Sequence, residues 1–457
     1  MTRQAKTPLI ATRAAGAAEK GRPWRRGAAQ RGSDPEPAKP AERNVGQRQN
    51  RLTLRIPTSH RDTTAVLGGA FPFLTGKPAT DGMFIGHDTV TGERFCFDPW
   101  QLYAQQTVSN TNIAIIGNIG WGKTNSAMAI ALRGIACGYR VIVPGDPKND
   151  WTRLAEALGG QAIRVGPGMP ERLNPLDLGT PLPGADGSAW RHQAEQRRAV
   201  LMVAIVETLA PSLAPLRPED RETLTAAVDV ACCTNTTPTL HHVVAALAAD
   251  GGEHAAPIRS AIGGLCAGPL AGMLDQPATA TPEPTSPIIA VGTAAVADND
   301  LAHTLAVLTA TSQLDGVGGS ERRFIIYDEA WRILAAPTHL ARVNAELRLS
   351  RAQGTATVLI THALSDTDKA ADAGSSAAAT ARGLVALCDT RIIFRQATGE
   401  TDRTATELGL THPERESLAT LGKGEALWKT GNATRRIHTD LGPTETTLFN
   451  TDQNRNA

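Results

Sequence analysis

The sequence predicts an α/β fold with a mostly parallel sheet, and three observations carry that reading. Short apolar runs at 112–116, 140–144, 288–291, 323–327, 355–361 and 390–395 alternate with helical patterns, the rhythm of βαβ units. A glycine-rich turn, Gly117-Asn118-Ile119-Gly120-Trp121-Gly122-Lys123-Thr124, follows the first run and opens a helical stretch that reaches Cys137. A later run, Arg323-Phe324-Ile325-Ile326-Tyr327, ends in Asp328-Glu329. Acidic side chains therefore fall at a strand end, where open α/β sheets bind their ligands.

The elements follow in order. Residues 1–50 carry eleven Lys/Arg against four Asp/Glu, a net of +7, which leaves +1 − 7 = −6 for residues 51–457. Rich in Gly, Ala, Pro and Arg and without a long apolar run, this head reads as a disordered basic tail. Residues 51–105 read as a small β-rich lead-in. There Met83-Phe84-Ile85-Gly86 and Arg94-Phe95-Cys96-Phe97-Asp98 flank the turn signals of Asp88-Thr89-Val90-Thr91-Gly92, as in a hairpin. Residues 106–185 form the first part of the α/β core. Over 186–280 the period turns helical, with Ala/Leu/Val stripes broken by Pro211, Pro215 and Pro238, so an all-α insertion of several helices is expected. The core resumes over 281–440, and 441–457 is a C-terminal tail.

Composition excludes several classes. Six cysteines in 457 residues, with no CxxC pair, make neither a disulfide scaffold nor a cysteine metal site. Adjacent Cys232 and Cys233 sit in an Ala/Val-rich helical stretch and read as small core residues. The longest apolar run, Ala199 to Val206, stops at Glu207, far short of the roughly 18–20 residues of a membrane span. The expected setting is cytoplasmic, with any position at the inner face of the membrane supplied by partners.

The turn at 117–124 satisfies GxxxxGK[ST]. Its glycines let successive backbone N–H groups close around phosphate oxygens, and the helix N-terminus behind them adds partial positive charge. Gly117, Asn118, Ile119, Gly120, Trp121, Gly122, Lys123, Thr124 and Asn125 are thus the candidate nucleotide-binding residues. Lys123 would bridge the β- and γ-phosphates of ATP, and Thr124 would ligate Mg²⁺. Asp328 can hold the same Mg²⁺ through water, while Glu329 can polarise the attacking water. Thr361-His362 follows another strand, where the pair could sense the γ-phosphate or orient water; a structural histidine is the alternative. Arg348 and Arg351 lie on the helix leading into that strand. Either could reach a neighbouring subunit's phosphates as a finger, or belong to an ordinary exposed face.

In this combination the sequence resembles the FtsK/HerA branch of P-loop motor ATPases, and within it the VirB-type ATPases of conjugative type IV secretion, in their actinobacterial form. The resemblance runs from about Phe71 to Gly442. Besides the motifs above it includes Phe97-Asp98-Pro99-Trp100, Gly145-Asp146-Pro147-Lys148, Leu173-Asn174-Pro175, Gly268-Pro269-Leu270-Ala271-Gly272-Met273-Leu274-Asp275, Asp389-Thr390-Arg391-Ile392-Ile393 and a hairpin from Gly424 to Gly431. It implies a RecA-like P-loop NTPase core with an all-α insertion, a homo-hexamer, and ATP-driven transfer of DNA or protein through membrane components of a secretion channel. It also favours Arg351 over Arg348 as the trans-acting arginine. Two departures stand out: many relatives carry Gln where this chain has His362, and many carry a large N-terminal docking domain. Two other readings stay open, a translocase or coupling protein acting directly on DNA and a nucleotide-gated scaffold with little turnover.

Overall fold

The computed structural model describes residues 81–181, 184–315, 321–334, 337–350, 353–364 and 383–450, all within the unit Pro57–Ala457. The basic head 1–50, residues 51–80 of the lead-in, Arg351 and the last residues 451–457 lie outside them.

Eleven strands form one sheet among the described residues: β1 (Met83–Asp88), β2 (Arg94–Phe97), β3 (Ile113–Ile116), β4 (Arg140–Asp146), β5 (Gln161–Arg164), β6 (Ile288–Gly292), β7 (Arg323–Tyr327), β8 (Thr355–Thr361), β9 (Thr390–Ile393), β10 (Glu425–Thr430) and β11 (Ala433–Thr439). Their order is β2-β1-β11-β10-β9-β3-β8-β7-β4-β6-β5. From β9 to β5 every neighbouring pair is parallel. From β9 outward through β10, β11, β1 and β2 every pair is antiparallel. The mostly parallel sheet expected from the spacing is therefore present, extended by an antiparallel wing.

The helices are α1 (Pro99–Ala104), α2 (Lys123–Ala136), α3 (Asp150–Ala157), α4 (Gly187–Leu209), α5 (Pro218–Thr234), α6 (Leu240–Asp250), α7 (Ala255–Ala267), α8 (Asp300–Asp315), α9 (Ala330–Leu334), α10 (Pro337–Leu349), α11 (Thr398–Glu407), α12 (His412–Thr420) and α13 (Pro443–Leu448). Parallel strands need cover on both faces, and the alternation along each strand divides the core accordingly. Ile113 and Ile115 of β3 join one buried cluster with Met128 and Ile130 of α2 and Trp151 of α3. Ala114 and Ile116 join the other, which contains Leu305 and Leu308 of α8 and continues into Met202, Leu224, Val243 and Ile258 of α4 to α7. The helices between β5 and β6 thus share one apolar cluster with the sheet.

On α5 the buried apolar positions are Leu224, Ala227, Val228 and Ala231, at helical spacing. This places Cys232 half-buried and Cys233 in the open. The expectation of two core cysteines fails for Cys233, because adjacent helical residues point about 100° apart.

Two ties set the frame around the glycine-rich turn. Arg133, in the last turn of α2, pairs with Glu445 at 2.8 Å and donates to the carbonyls of Phe84 and Ile85 at 2.8 and 2.9 Å, locking α2 to the wing. Beneath β7 and β8, Glu346 of α10 accepts from the hydroxyls of Tyr327 and Thr357 at 2.9 and 2.8 Å. Burial, with Asp315 nearby, pushes the Glu346 carboxyl up to about 7. A folded value above the ordinary 4.5 means that this group's contribution to stability is full below 4.5 and is lost as pH rises through 7. Glu346→Gln, which carries no charge, should therefore melt above wild type at pH 8, with the gap closing toward pH 5. An equal gap at both pH values, by differential scanning fluorimetry, would contradict the assignment.

Candidate nucleotide site

The turn after β3 is shaped by close backbone approach. A Cβ on Gly117 would stand 2.4 Å from the Cβ of Phe394, because the end of β9 runs directly beside it. Gly120 and Gly122 have φ of 83° and 105°, values that side chains disfavour, and Gly122 caps α2. The loop is fastened on three sides. Gly117 N–H donates to the Thr361 carbonyl at 3.3 Å, Asn118 N–H to that of Arg395 at 3.0 Å, and Gly424 N–H to that of Trp121 at 3.1 Å. The Arg395 guanidinium lies 4.7 Å from the centre of the Trp121 ring. Thr124 and Asn125 occupy the first turn of α2, and Ile119 at the loop's tip is 71% exposed.

Lys123 is buried and curls over the loop, its Nζ donating to the carbonyls of Gly117 and Asn118 at 2.5 and 3.0 Å. The same Nζ lies 3.0 Å from Nδ1 of His362. His362 Nε2 is in turn 2.9 Å from Glu329 Oε2. An ammonium can only donate, so Nδ1 accepts, and the partners select the tautomer with its proton on Nε2. Glu329 also accepts from Trp331 Nε1 at 2.8 Å and from the ammonium of Lys148. Burial alone would raise the Glu329 carboxyl, but the hydrogen bonds from His362 and Lys148 and the charge of Lys148 hold it well below the usual range. Its backbone sits at φ 53°, a strained conformation for a residue with a side chain, costing on the order of 1 kcal/mol.

The other carboxylates of this edge are held differently. Asp328 accepts from the Glu329 N–H at 3.0 Å and from Trp151 Nε1 at 3.1 Å, and burial pushes its carboxyl up. Asp146 accepts from the N–H of Asp150 at 3.2 Å and of Thr152 at 2.8 Å, holding the start of α3. Burial raises Asp146 to about 6 and Asp150 to about 7.

The structure thus gathers Lys123, Asp328, Glu329 and His362 at the C-terminal edge of the parallel strands. The Thr361 hydroxyl turns to the Ala363 carbonyl at 3.3 Å, so this residue serves the loop through its backbone. Arg348 is exposed and donates to Asn344 at 2.9 Å. Sequence reasoning gave no role to Lys148, Trp151 or Asp150. Lys148 stood in the quoted Gly145-Asp146-Pro147-Lys148 block, a signal without an assigned partner.

A glycine cradle at a helix N-terminus, a buried lysine across it and a strand-end carboxylate pair suit a nucleotide triphosphate, and a threonine hydroxyl with a carboxylate is an oxygen donor set suited to Mg²⁺. Fold and site together define a RecA-like P-loop protein. No known family's sequence profile matches the chain, and no curated protein matches it. Solved structures do. VirB4 of Thermoanaerobacter pseudethanolicus aligns over 81% of this chain and 100% of its own, at 19% identity and a TM-score of 0.64. The plasmid coupling protein TrwB, in complex with the non-hydrolysable ATP analogue ADPNP, aligns over 82% of this chain and 92% of its own, at 14% identity and 0.53. TrwB with ADP and Mg²⁺ gives the same coverage and identity at 0.52. The chain has the fold of these P-loop proteins.

Gly117→Ala tests the loop. The added methyl meets Phe394 below any real contact distance, so the variant should melt several degrees lower and bind a fluorescent ATP analogue much more weakly. Unchanged melting and binding would show that β9 can give way and that this glycine is dispensable.

Proposed function

We propose that the chain is an ATP-hydrolysing motor that powers a conjugative or type IV secretion-like apparatus, moving DNA or protein across the cell envelope. Residues 106–185 and 281–440 form its ATPase core, 186–280 an all-α insertion. The carrying observation is the contact chain Lys123–His362–Glu329, which joins the phosphate-binding lysine to a strand-end glutamate through one imidazole. A scaffold that only bound nucleotide would have no use for that glutamate. The greater likeness to VirB4 than to TrwB favours the secretion motor over a coupling protein acting directly on DNA.

In this reading Lys123 leaves the loop carbonyls for the β- and γ-phosphates of ATP. Thr124 and Asp328 would hold Mg²⁺, which would supply charge neutralisation on the phosphates. Glu329 polarises the attacking water. His362, released by Lys123 as the γ-phosphate arrives, is the sensor, with Thr361 beside it. Arg351 reaches the adjacent subunit's γ-phosphate in a homo-hexamer, which docks on membrane components of the channel from the cytoplasmic side. Among the described residues no helix is long and apolar enough to cross a membrane.

Lys123→Ala should lose ATP binding, whereas Glu329→Gln should bind ATP and fail to hydrolyse it, because the lysine acts on the ground state and the glutamate on water only during reaction. Equal nucleotide affinity in wild type and Lys123→Ala, by calorimetry, would sink the site assignment. Strong stimulation of hydrolysis by added DNA would turn the reading toward the coupling protein.

The ring has its own test. Lys123→Ala and Arg351→Ala, each inactive alone, should regain part of the activity when mixed, since an intact loop on one subunit then meets an intact arginine on its neighbour. Mixed oligomers proved by tagged co-purification, yet without activity, would place Arg351 outside a neighbour's site.

A further inference from the structure

The strand order β3-β8-β7-β4 sets four side chains in a row along the catalytic edge: Lys123 after β3, His362 after β8, Glu329 after β7 and Lys148 after β4. Each touches the next. Glu329 stands third, with Oε2 taken by His362 and Trp331 and Oε1 by Lys148. Its left-handed backbone is not one that the residue prefers, so side-chain contacts hold the carboxylate in its orientation. Lys148 is itself anchored, its backbone N–H donating to Asp146 Oδ1 at 3.3 Å in the turn between β4 and α3. The ammonium therefore reaches Glu329 from a fixed backbone, on the side away from the nucleotide loop.

We propose that Lys148 is a positioning residue for hydrolysis, fixing the Glu329 carboxylate through Oε1 so that it faces water in one geometry. This rests on the ATPase reading above. His362 grips the opposite oxygen and answers to Lys123, so its contact changes when nucleotide arrives, whereas Lys148 reaches Glu329 from the turn between β4 and α3, on the other side from Lys123. When the His362 contact changes, the Lys148 contact at Oε1 keeps the carboxylate in that geometry.

The test is steady-state ATP hydrolysis by the full chain, as wild type, Lys148→Met and Lys148→Arg, with nucleotide affinity measured separately by a fluorescent analogue. Loss of the anchor should lower kcat on the order of 10- to 100-fold, the scale of a small misplacement of a reacting group. KM and affinity should stay near wild type, and arginine should restore most of the rate. A higher KM with weaker binding would mean that Lys148 touches the nucleotide instead, and an unchanged kcat would mean that it positions nothing; either overturns the proposal. Half of the Lys148 side chain is exposed, so these variants should fold, and Lys148→Gln, judged by the same split, replaces any that melts early. A wild-type chain without ATPase activity would overturn the ATPase reading and this inference with it. An active wild type beside an unimpaired Lys148→Met would overturn this inference alone.

Discussion

The balance of buried charge at one sheet edge is the constraint on which the rest of the site depends. β4 and β7 are parallel neighbours, so their C-terminal ends bring Asp146, Asp150, Asp328 and Glu329 together with little water to screen them. Such carboxylates must find cations, find N–H donors or take up protons. Glu329 finds a cation in Lys148 and an N–H donor in His362, and its carboxyl is held well below the usual range. Asp146 and Asp328 rely on backbone N–H groups and the Trp151 indole, and burial leaves them raised. Four similar residues thus sit in different electrostatic surroundings, set by where Lys148 and the N–H donors stand.

The nucleotide loop is the counterpart of that edge, and it is held from the opposite direction. Phe394 crowds Gly117 from β9, Gly424 ties down Trp121 from the start of β10, and Thr439 at the end of β11 shares a 2.8 Å hydrogen bond with Ser126 in α2. Arg133 fastens the far end of α2 to β1 and α13. The antiparallel wing therefore acts as a backing plate for the glycine loop, while the parallel strands carry Asp328, Glu329 and His362, the groups proposed to act on phosphate. Preorganised donors of this kind need no rearrangement at the moment of reaction.

What could be read from the sequence was whatever its own neighbourhood determines. The glycine turn with its lysine, and the Asp-Glu strand end, are each contiguous runs, so their candidate roles could be assigned from local spacing. Strand identity was also legible, since apolar runs bounded by turns mark buried strands. The order of the strands was not, because β3, β8, β7 and β4 are widely separated in the chain. Lys148 and Glu329 are 181 positions apart, and Trp151 and Asp328 are 177. No local pattern joins them, so Lys148 could be quoted within a block and still lack a partner. Cys233 failed for the reverse reason: an apolar stretch was read as buried on every side, whereas a helix hides one stripe.

The shared core carries the same logic away from the site. Arg332 of α9, just after the Asp-Glu pair, donates to the Ala297 carbonyl at 2.7 Å, close to the start of α8. His303 on α8 contacts Thr293 at 3.0 Å, immediately after β6. α8 packs on the sheet and on α4, so the helices between β5 and β6 rest on the element that this sheet edge grips. Buried apolar side chains join those helices to the sheet, and separating α4 from this cluster would expose Leu201, Met202 and Ile205, each buried. At about 1.5–3 kcal/mol for each such side chain, sliding apart is costly, whereas a rigid tilt that keeps the contact is not. A motor built this way would pass a change at Glu329 outward as rotation of packed helices rather than as opening of a hinge.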